Sequence, residues 1–580
     1  MQVGAPVADP LAILPPELVL RVLEFASLPA IASLTAVSKA WHQFIDRTHQ
    51  DAIYSSKVKA SQVPTGCPRD LLSLSDVPTF SRWFENTPSW KSLCQRQTLL
   101  ARNWASSSPV SRELVLQVGD DPVWRFRADL KRRFIVSTSH SGGLNVTDLD
   151  TGQSLWRLPS TLDSDDEDAV RPYAHLEYQD GMAVFDRDGD AVEVWQADLD
   201  GAGRGEFRRI AILDHDCQTR GFQLSYWTLC VVSTQGQGFV YDMKQRPPKL
   251  ITHLDIERDA VGHLDQSEDA VMYSMGSRGY HVYNKASGEF MGILNPSYCT
   301  EKYHIRPGLP SLPSASTRPM AAARHRPMQP VSLGPPFSDR MLPIKLEEGP
   351  LPLPDDPDHV RNGEDEWGAG MQDGDLFVGV SRAGRVFICS NWRQALQGSR
   401  GLAACSAIIE CESDGSTFDL GGWLSVRNNR LMFEVQDQIY IVALDGENHI
   451  QDVARPLRAS YSLYSSSTPQ LAVPVSFMAL YDDAIMTTYT TLGHRQTPPN
   501  APGGRIFPTK TIRIICLAPD SNASASYPTF SADATASSPV GEGIWSPDQN
   551  QAQRSRAMFH LLSMLMDEHD GAGDVVTDEE

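Results

Sequence analysis

Residues 181–201 read GMAVFDRDGDAVEVWQADLDG. Two β-rich runs flank a tight polar turn, and the Asp-Gly pair inside DRDGD at 186–190 predicts a hairpin. DRDGD also resembles the start of a calcium loop, but the acidic residue such a loop needs at its far end is absent. The same plan recurs in RFIVSTSHSGGLNVTDLDTG from Arg133, LCVVSTQGQGFVYDM from Leu229 and AVMYSMGSRGYHVYNKASGE from Ala270. It recurs again in DLFVGVSRAGRVFICSNW from Asp375, RLMFEVQDQIYIVALD from Arg430 and AIMTTYTTLGHR from Ala484. The last finds its partner strand in TKTIRIICLAPD, beyond a Pro/Gly-rich loop.

Matching positions are Phe134, Met182, Cys230, Val271, Leu376, Leu431 and Ile485, separated by 48, 48, 41, 105, 55 and 54 residues. A hairpin at this period is the signature of a β-propeller with four strands to a blade, and seven hairpins predict about seven blades. An array of β-sandwiches is the alternative. ELVLQV at 113–118 stands before the first repeat, where it can complete the last blade and close the ring. The separation of 105 spans residues 296–370, which hold 14 of the 40 prolines; this stretch is expected to be a disordered insert.

Upstream, the period changes from strand to helix. LPPELVLRVLEFASLPAIASLTAVSKAWHQFI at 14–45 sets Leu18, Val22 and Phe25, with Val19 and Leu23 beside them, on one broad apolar face. Pro15 and Pro16 suit a first helical turn. Ser27-Leu28-Pro29 ends that helix, Ile31 and Leu34 mark a second, and Ser38 caps a third carrying Trp41, Phe44 and Ile45. Three helices this short leave part of their apolar surface for another surface to cover. Residues 89–104, SWKSLCQRQTLLARNW, predict a further helix with Trp90, Leu93, Leu99 and Leu100 on its apolar side, and 69–88 predict more helix before it. RAMFHLLSMLMDEH, from Arg556, predicts a short amphipathic helix in an otherwise low-complexity tail.

Composition narrows the function classes. The net charge of −21 disfavours nucleic acid and anionic membranes, and no apolar run is long enough to span a bilayer. Nine scattered cysteines without a CxxC pair predict reduced thiols and neither a disulfide framework nor a zinc site. No nucleophile elbow, zinc-protease helix or phosphate-binding glycine loop is present; GAGRG at 201–205 has the wrong spacing and setting for one. No cofactor, metal or catalytic residue is therefore expected.

LPPE at 14–17, VLRVLEF at 19–25 and VSKAW at 37–41 together resemble an F-box, and the Trp-Lys, Arg-Gln and Asn-Trp pairs of 89–104 look like the linker of F-box/WD-repeat proteins. The resemblance implies an all-α F-box at 10–58, a helical linker at 59–110, a WD-repeat-like propeller at 111–518 and a tail at 519–580. It implies docking on a Skp-family adaptor, and through it on a cullin, by Leu14, Pro15, Leu18, Val22, Leu28 and Val37 with Trp41 packing behind. It further implies a substrate receptor of an SCF-type ubiquitin ligase, in cytoplasm or nucleus, whose propeller binds an unidentified protein target, phosphorylated in some members of the family. The alternatives are a non-degradative propeller scaffold and a propeller hydrolase. The propeller is strongly diverged. It has no Trp-Asp dipeptide, and the usual second-strand Trp survives once, at Trp195, where other repeats have Tyr241 or Tyr283. Arg220, Arg278, Arg382 and Arg427 fall near predicted turns, but nothing in the sequence singles any of them out as a site.

Overall fold

The computed structural model describes residues 9–58, 70–75, 77–119, 121–187, 189–258, 262–306, 341–352, 365–411, 423–435, 438–466, 475–494 and 506–519. The chain divides into two compact units. One comprises residues up to Ser111 together with 516–523; the other begins at Arg112. The amphipathic helix expected in the tail lies outside the described residues.

The first unit is helical: α1 (Pro10–Ile13), α2 (Pro16–Phe25), α3 (Leu28–Thr35), α4 (Lys39–Gln43), a π-helical turn at Phe44–Thr48, α5 (Gln50–Ser55), α6 (Leu71–Ser75) and α7 (Trp90–Ala105). Its starts follow local chemistry. Pro16 opens α2, where its missing N–H costs nothing. The hydroxyls of Ser27, Ser38 and Ser89 accept backbone N–H groups at the starts of α3, α4 and α7. Val19, Leu23, Ile31, Trp41, Ile45, Ile53 and Leu93 are buried together with Leu100 and Trp104. Two expectations fail here. Among the described residues of 69–88 only α6 is helical, and the turns around 80–86 bury Phe80, Trp83 and Phe84. Leu99 is exposed, because α7 turns Leu93, Cys94, Leu100 and Trp104 inward and Leu99 sits about 100° round the helix from Leu100.

The second unit is β-rich. It opens with β1 (Arg112–Leu116), then β2 (Val123–Asp129), β3 (Phe134–Ser139), β4 (Leu144–Asp148) and β5 (Ser154–Leu158). Next come β6 (Leu176–Gln179), β7 (Met182–Asp186), β8 (Ala191–Ala197) and β9 (Phe207–Asp214). They are followed by β10 (Thr219–Ser225), β11 (Thr228–Ser233), β12 (Gln237–Asp242) and β13 (Lys249–Asp255), and by β14 (Leu264–Gln266), β15 (Ala270–Ser274), β16 (Tyr280–Asn284) and β17 (Phe290–Leu294). Then β18 (Glu301–Arg306) and β19 (Leu342–Glu348) precede β20 (Trp367–Asp373), β21 (Leu376–Ser381), β22 (Arg385–Cys389) and β23 (Ser406–Glu410). The unit ends with β24 (Leu424–Arg427), β25 (Arg430–Val435), β26 (Gln438–Ala443), β27 (Ser460–Tyr464), β28 (Met478–Leu480), β29 (Ala484–His494) and β30 (Ile506–Cys516).

Strands β2–β5, β6–β9, β10–β13 and β14–β17 form four-stranded antiparallel meanders, and a fifth four-stranded sheet runs β1-β30-β29-β28. The remaining strands form one ten-stranded sheet, β20-β21-β22-β23-β18-β19-β27-β26-β25-β24. Each predicted hairpin is the middle pair of one four-strand run. Those middle strands are buried on both faces, as in β3, β7 and β15, so they read as nearly continuous apolar runs. The repeat extends to a bulge. Third and fourth strands slip register at Val146/Thr147, Val194/Trp195, Val240/Tyr241 and Val282/Tyr283. The diverged aromatic position is therefore where each outer strand turns away.

The core lies between consecutive sheets. Phe134, Val146, Leu176 and Trp195 pack the first against the second, and Val184, Val194, Leu229 and Tyr241 the second against the third. First strands also touch in chain order: β2 with β6, then β10, β14, β20, β24 and β28. The series returns to its start, since β29 touches β2 and the Phe477 ring lies 4.9 Å from that of Phe126. Approach along this series is close. A Cβ on Gly221 would lie 2.0 Å from the Gly262 carbonyl oxygen, so only glycine fits there.

The expectation that 296–370 is wholly a disordered insert is corrected. β18 and β19 pair with each other, β18 joins β23 in parallel, and β19 joins β27 antiparallel. Proline density averaged over the window hides them: eight of its prolines fall in 307–340, outside the described residues, whereas EKYHIR at 301–306 contains none. Pro343 is accommodated near the start of β19. Tyr303, Ile305 and Ile344 belong to the core of the ten-stranded sheet. Replacing Ile305 and Ile344 by alanine should therefore cost about 2–5 kcal/mol each. Calorimetry should show a midpoint lower by several degrees, whereas an unchanged midpoint would mean these strands do not pack.

Candidate functional site

Two surfaces stand out. The first lies on α2. Positions 18, 22 and 25 repeat at helical spacing, and the structure leaves all three side chains uncovered, with Phe25 79% and Val22 61% exposed. The predicted face is thus split: Val19 and Leu23 turn into the unit, while Leu18, Val22 and Phe25 turn out. Leu14 and Pro15, just before α2, are exposed, as is Val37 after α3. Leu28 is half-buried and Trp41 is buried. Sequence reasoning left Ile13 out of the set, although it is 63% exposed beside Leu14.

Polar contacts hold this face in place from behind. Lys57 Nζ donates to the carbonyls of Glu24 and Ala26 at 2.8 and 2.6 Å, so a cation closes the C-terminal end of α2. Asp46 pairs with Lys91 of α7 at 2.7 Å and takes the Tyr54 hydroxyl at 3.4 Å. Burial, then Asp46, pushes the Tyr54 phenol up to about 12. Arg96 Nη1 donates to the carbonyls of Trp83 and Glu85, which fixes the turns before α7. Asn103 Nδ2 donates to the carbonyls of Val110 and Leu517, both at 2.7 Å.

The second surface is polar and lies on the first strands of the β-rich unit. Residues two apart in extended chain share a face, and such pairs stand at three first strands: Arg125 and Arg127 within β2, His175 just before β6 with Glu177 in it, and His263 just before β14 with Asp265 in it. Arg127 Nη2 donates to Glu177 Oε1 at 2.6 Å, and its guanidinium lies 4.0 Å from the Phe477 ring centroid. Arg125 lies 4.2 Å over Trp423, with Nη1 3.3 Å from His175 Nε2. Burial pushes the His175 and His263 imidazoles down to about 3 and about 4, and Arg125 adds to both effects. Burial alone would raise the Glu177 carboxyl, but Arg127 and His175 overcome it and hold it near about 2. Asp265 is pushed up by burial to about 7, although the N–H of Gln372 donates to it at 2.5 Å.

The arginines near turns have local partners instead. Arg382 pairs with Glu366 at 2.8 Å, Arg427 with Asp482 at 2.7 Å and Arg278 with Glu257, while Arg220 reaches the carbonyl of Arg258 at 3.5 Å. The signal missed in the sequence was R-x-R at 125–127 followed by H-x-E at 175–177 and H-x-D at 263–265, ionisable pairs a few residues before the hairpins of separate repeats. The described cysteines are all buried and unbridged. Among the described residues no cluster of His, Cys, Asp and Glu suits a metal.

Residues 11–50 match the F-box-like family model, so the N-terminal helices form an F-box-like domain. No curated protein matches the chain. Among solved structures, the chain is similar to the computationally designed Ika8 protein, with 12% identity over 69% of this chain and 98% of that one. The TM-score of 0.36 is too low for this likeness to bear on the fold.

A carboxyl whose folded pKa lies above its unfolded value removes stability as pH rises between the two. Asp265 is such a group, with Glu177 disfavouring its ionised form and Lys285 favouring it. Asp265→Asn should therefore raise the thermal midpoint at about pH 8 and change it little at about pH 4. Equal shifts at both would show that Asp265 is not held protonated.

Proposed function

We propose that the chain is the substrate-recognition subunit of an SCF-type cullin–RING ubiquitin ligase, acting in cytoplasm or nucleus. The F-box-like domain docks on a Skp-family adaptor through Leu14, Pro15, Leu18, Val22, Leu28 and Val37, with Trp41 behind them and Phe25 and Ile13 extending the contact. One observation carries this reading: large apolar side chains stand uncovered on α2 of a domain that matches the F-box-like family. Uncovered apolar clusters mark interaction surfaces.

The β-rich unit is read as a seven-bladed propeller. Support comes from the cyclic contact of first strands, the recurring bulge and the completion of the last sheet by β1. In this reading β18 and β19 bridge the outer edges of the fifth and sixth blades. The receptor makes no covalent bond. It holds a bound target near the ubiquitin-charged enzyme and so raises the effective concentration of the target's lysines.

Leu18→Ala with Val22→Ala should weaken adaptor binding by about 2 kcal/mol or more, roughly thirtyfold, without altering the helical circular dichroism. Undiminished co-purification of the adaptor with this variant contradicts the docking surface. If the chain acts as a scaffold, the full-length chain still binds the adaptor, but removing residues before about 50 does not make captured clients accumulate.

A further inference from the structure

We infer that the inner strands of the β-rich unit form a binding site for one carboxylate group of a peptide, with Arg125 as its cation. Calling that peptide a client rests on the receptor reading above. The binding itself does not.

Arg125 is about nine-tenths buried, with 9% of its surface exposed. Its one side-chain contact within hydrogen-bonding distance is His175 Nε2, at 3.3 Å. That nitrogen is also 2.9 Å from Glu177 Oε1. Glu177 is ionised and can only accept, so the His175 proton sits on Nε2 and points at Glu177. A nitrogen that donates there cannot accept from Arg125, so the Arg125–His175 contact sets donor against donor. Arg125 Nε has no partner among the described residues. Among the described residues, this guanidinium therefore lacks a hydrogen-bond acceptor. It is held only by the face of Trp423.

A buried cation without an acceptor is costly. Two other guanidinium groups inside this unit show the usual solution: Arg127, half-buried, has Glu177, and Arg513, buried, has Glu113. Arg125 is the exception among these three, and its pKa falls to about 9, by burial first and then by Arg127. An incoming anion would supply the missing acceptor.

The surroundings limit that anion's charge. Arg127 and Glu177 neutralise each other, and His175 and His263 are uncharged at neutral pH. Arg125 is left as a single positive charge, with Glu177 close by. A carboxylate matches it in charge and in two-pronged geometry. A phosphate dianion would bring a second negative charge towards Glu177 and Asp265. The neighbouring side chains are aromatic: Trp423 lies 6.2 Å from Phe477, and Phe222 lies 4.4 Å from the His175 ring. They suit the apolar part of a residue that carries the carboxylate. The carboxylate comes from a chain terminus or from an Asp or Glu side chain.

The test uses the purified full-length chain without adaptor, titrated by calorimetry with four pools of short peptides. One pool has free C-terminal carboxylates and no acidic side chains. The second is the same pool amidated, the third is amidated with an internal Glu, and the fourth replaces that Glu by phosphoserine. Binding of the first pool but not the second supports the site and identifies a terminal carboxylate. Binding of the third but not the second supports it with a side-chain carboxylate. Arg125→Met should weaken the active pool at least about tenfold and leave the thermal midpoint unlowered, since no acceptor is orphaned. Arg125→Lys keeps the charge but loses the fork, and it should also bind several-fold more weakly if the methionine variant does not fold. Binding to no pool, stronger binding of phosphoserine than of Glu, or undiminished binding by the Arg125 variants overturns the proposal. Loss of adaptor docking is measured separately and leaves this result untouched.

Discussion

Arg513 is 2% exposed in β30, and its guanidinium meets the carboxylate of Glu113 in β1 twice, at 2.7 and 3.0 Å. It also donates to the Tyr464 carbonyl at 3.0 Å and lies 4.9 Å from the Tyr489 ring centroid. The two charges stand 400 residues apart in sequence. A paired, forked contact of this kind is strong, and removing one partner of a buried pair costs about 3–5 kcal/mol. It makes the first strand of the β-rich unit the outer strand of its last sheet. Trp423 and Phe477, from late sheets, can meet Arg125 and Arg127 of an early one only when the two ends of the unit come together.

The parts of the fold that repeat were readable, because repetition turns weak local signals into a strong one. A single hairpin such as 181–197 could belong to many folds, but seven at similar spacing could not. ELVLQV was readable as a closing strand because it stood outside the repeats with nothing else to pair with. β18 and β19 were not readable, since they interrupt the period and sit amid prolines. Leu99 and the turns at 80–86 were misread because both depend on which neighbour packs against them, and helical periodicity alone does not say.

The candidate sites divide in the same way. The α2 face was legible because apolar residues at helical spacing, split between buried and exposed, leave a pattern in the sequence. Arg125 left only the weak signal of its Arg-x-Arg pair, which in a strand is ordinary on a solvated surface. Its position becomes informative only when Glu177 is seen to take Arg127 and His175, leaving no acceptor for Arg125 among the described residues. The two units thus offer different chemistry: one leaves apolar surface exposed, and the other holds a buried cation without an acceptor among the described residues. Each is costly to the free chain, and each would be relieved by a partner of the opposite kind to the other.

Ring closure is tested most directly by amide hydrogen exchange on the chain with residues 112–116 replaced by Gly and Ser. If β1 closes the unit, protection falls in β30, with which it pairs, and also in β2, whose side chains pack against the end of the last sheet. The middle strands of the second and third sheets keep theirs. Unchanged protection in β30 and β2 would contradict the closure, and with it the cyclic arrangement of the inner strands.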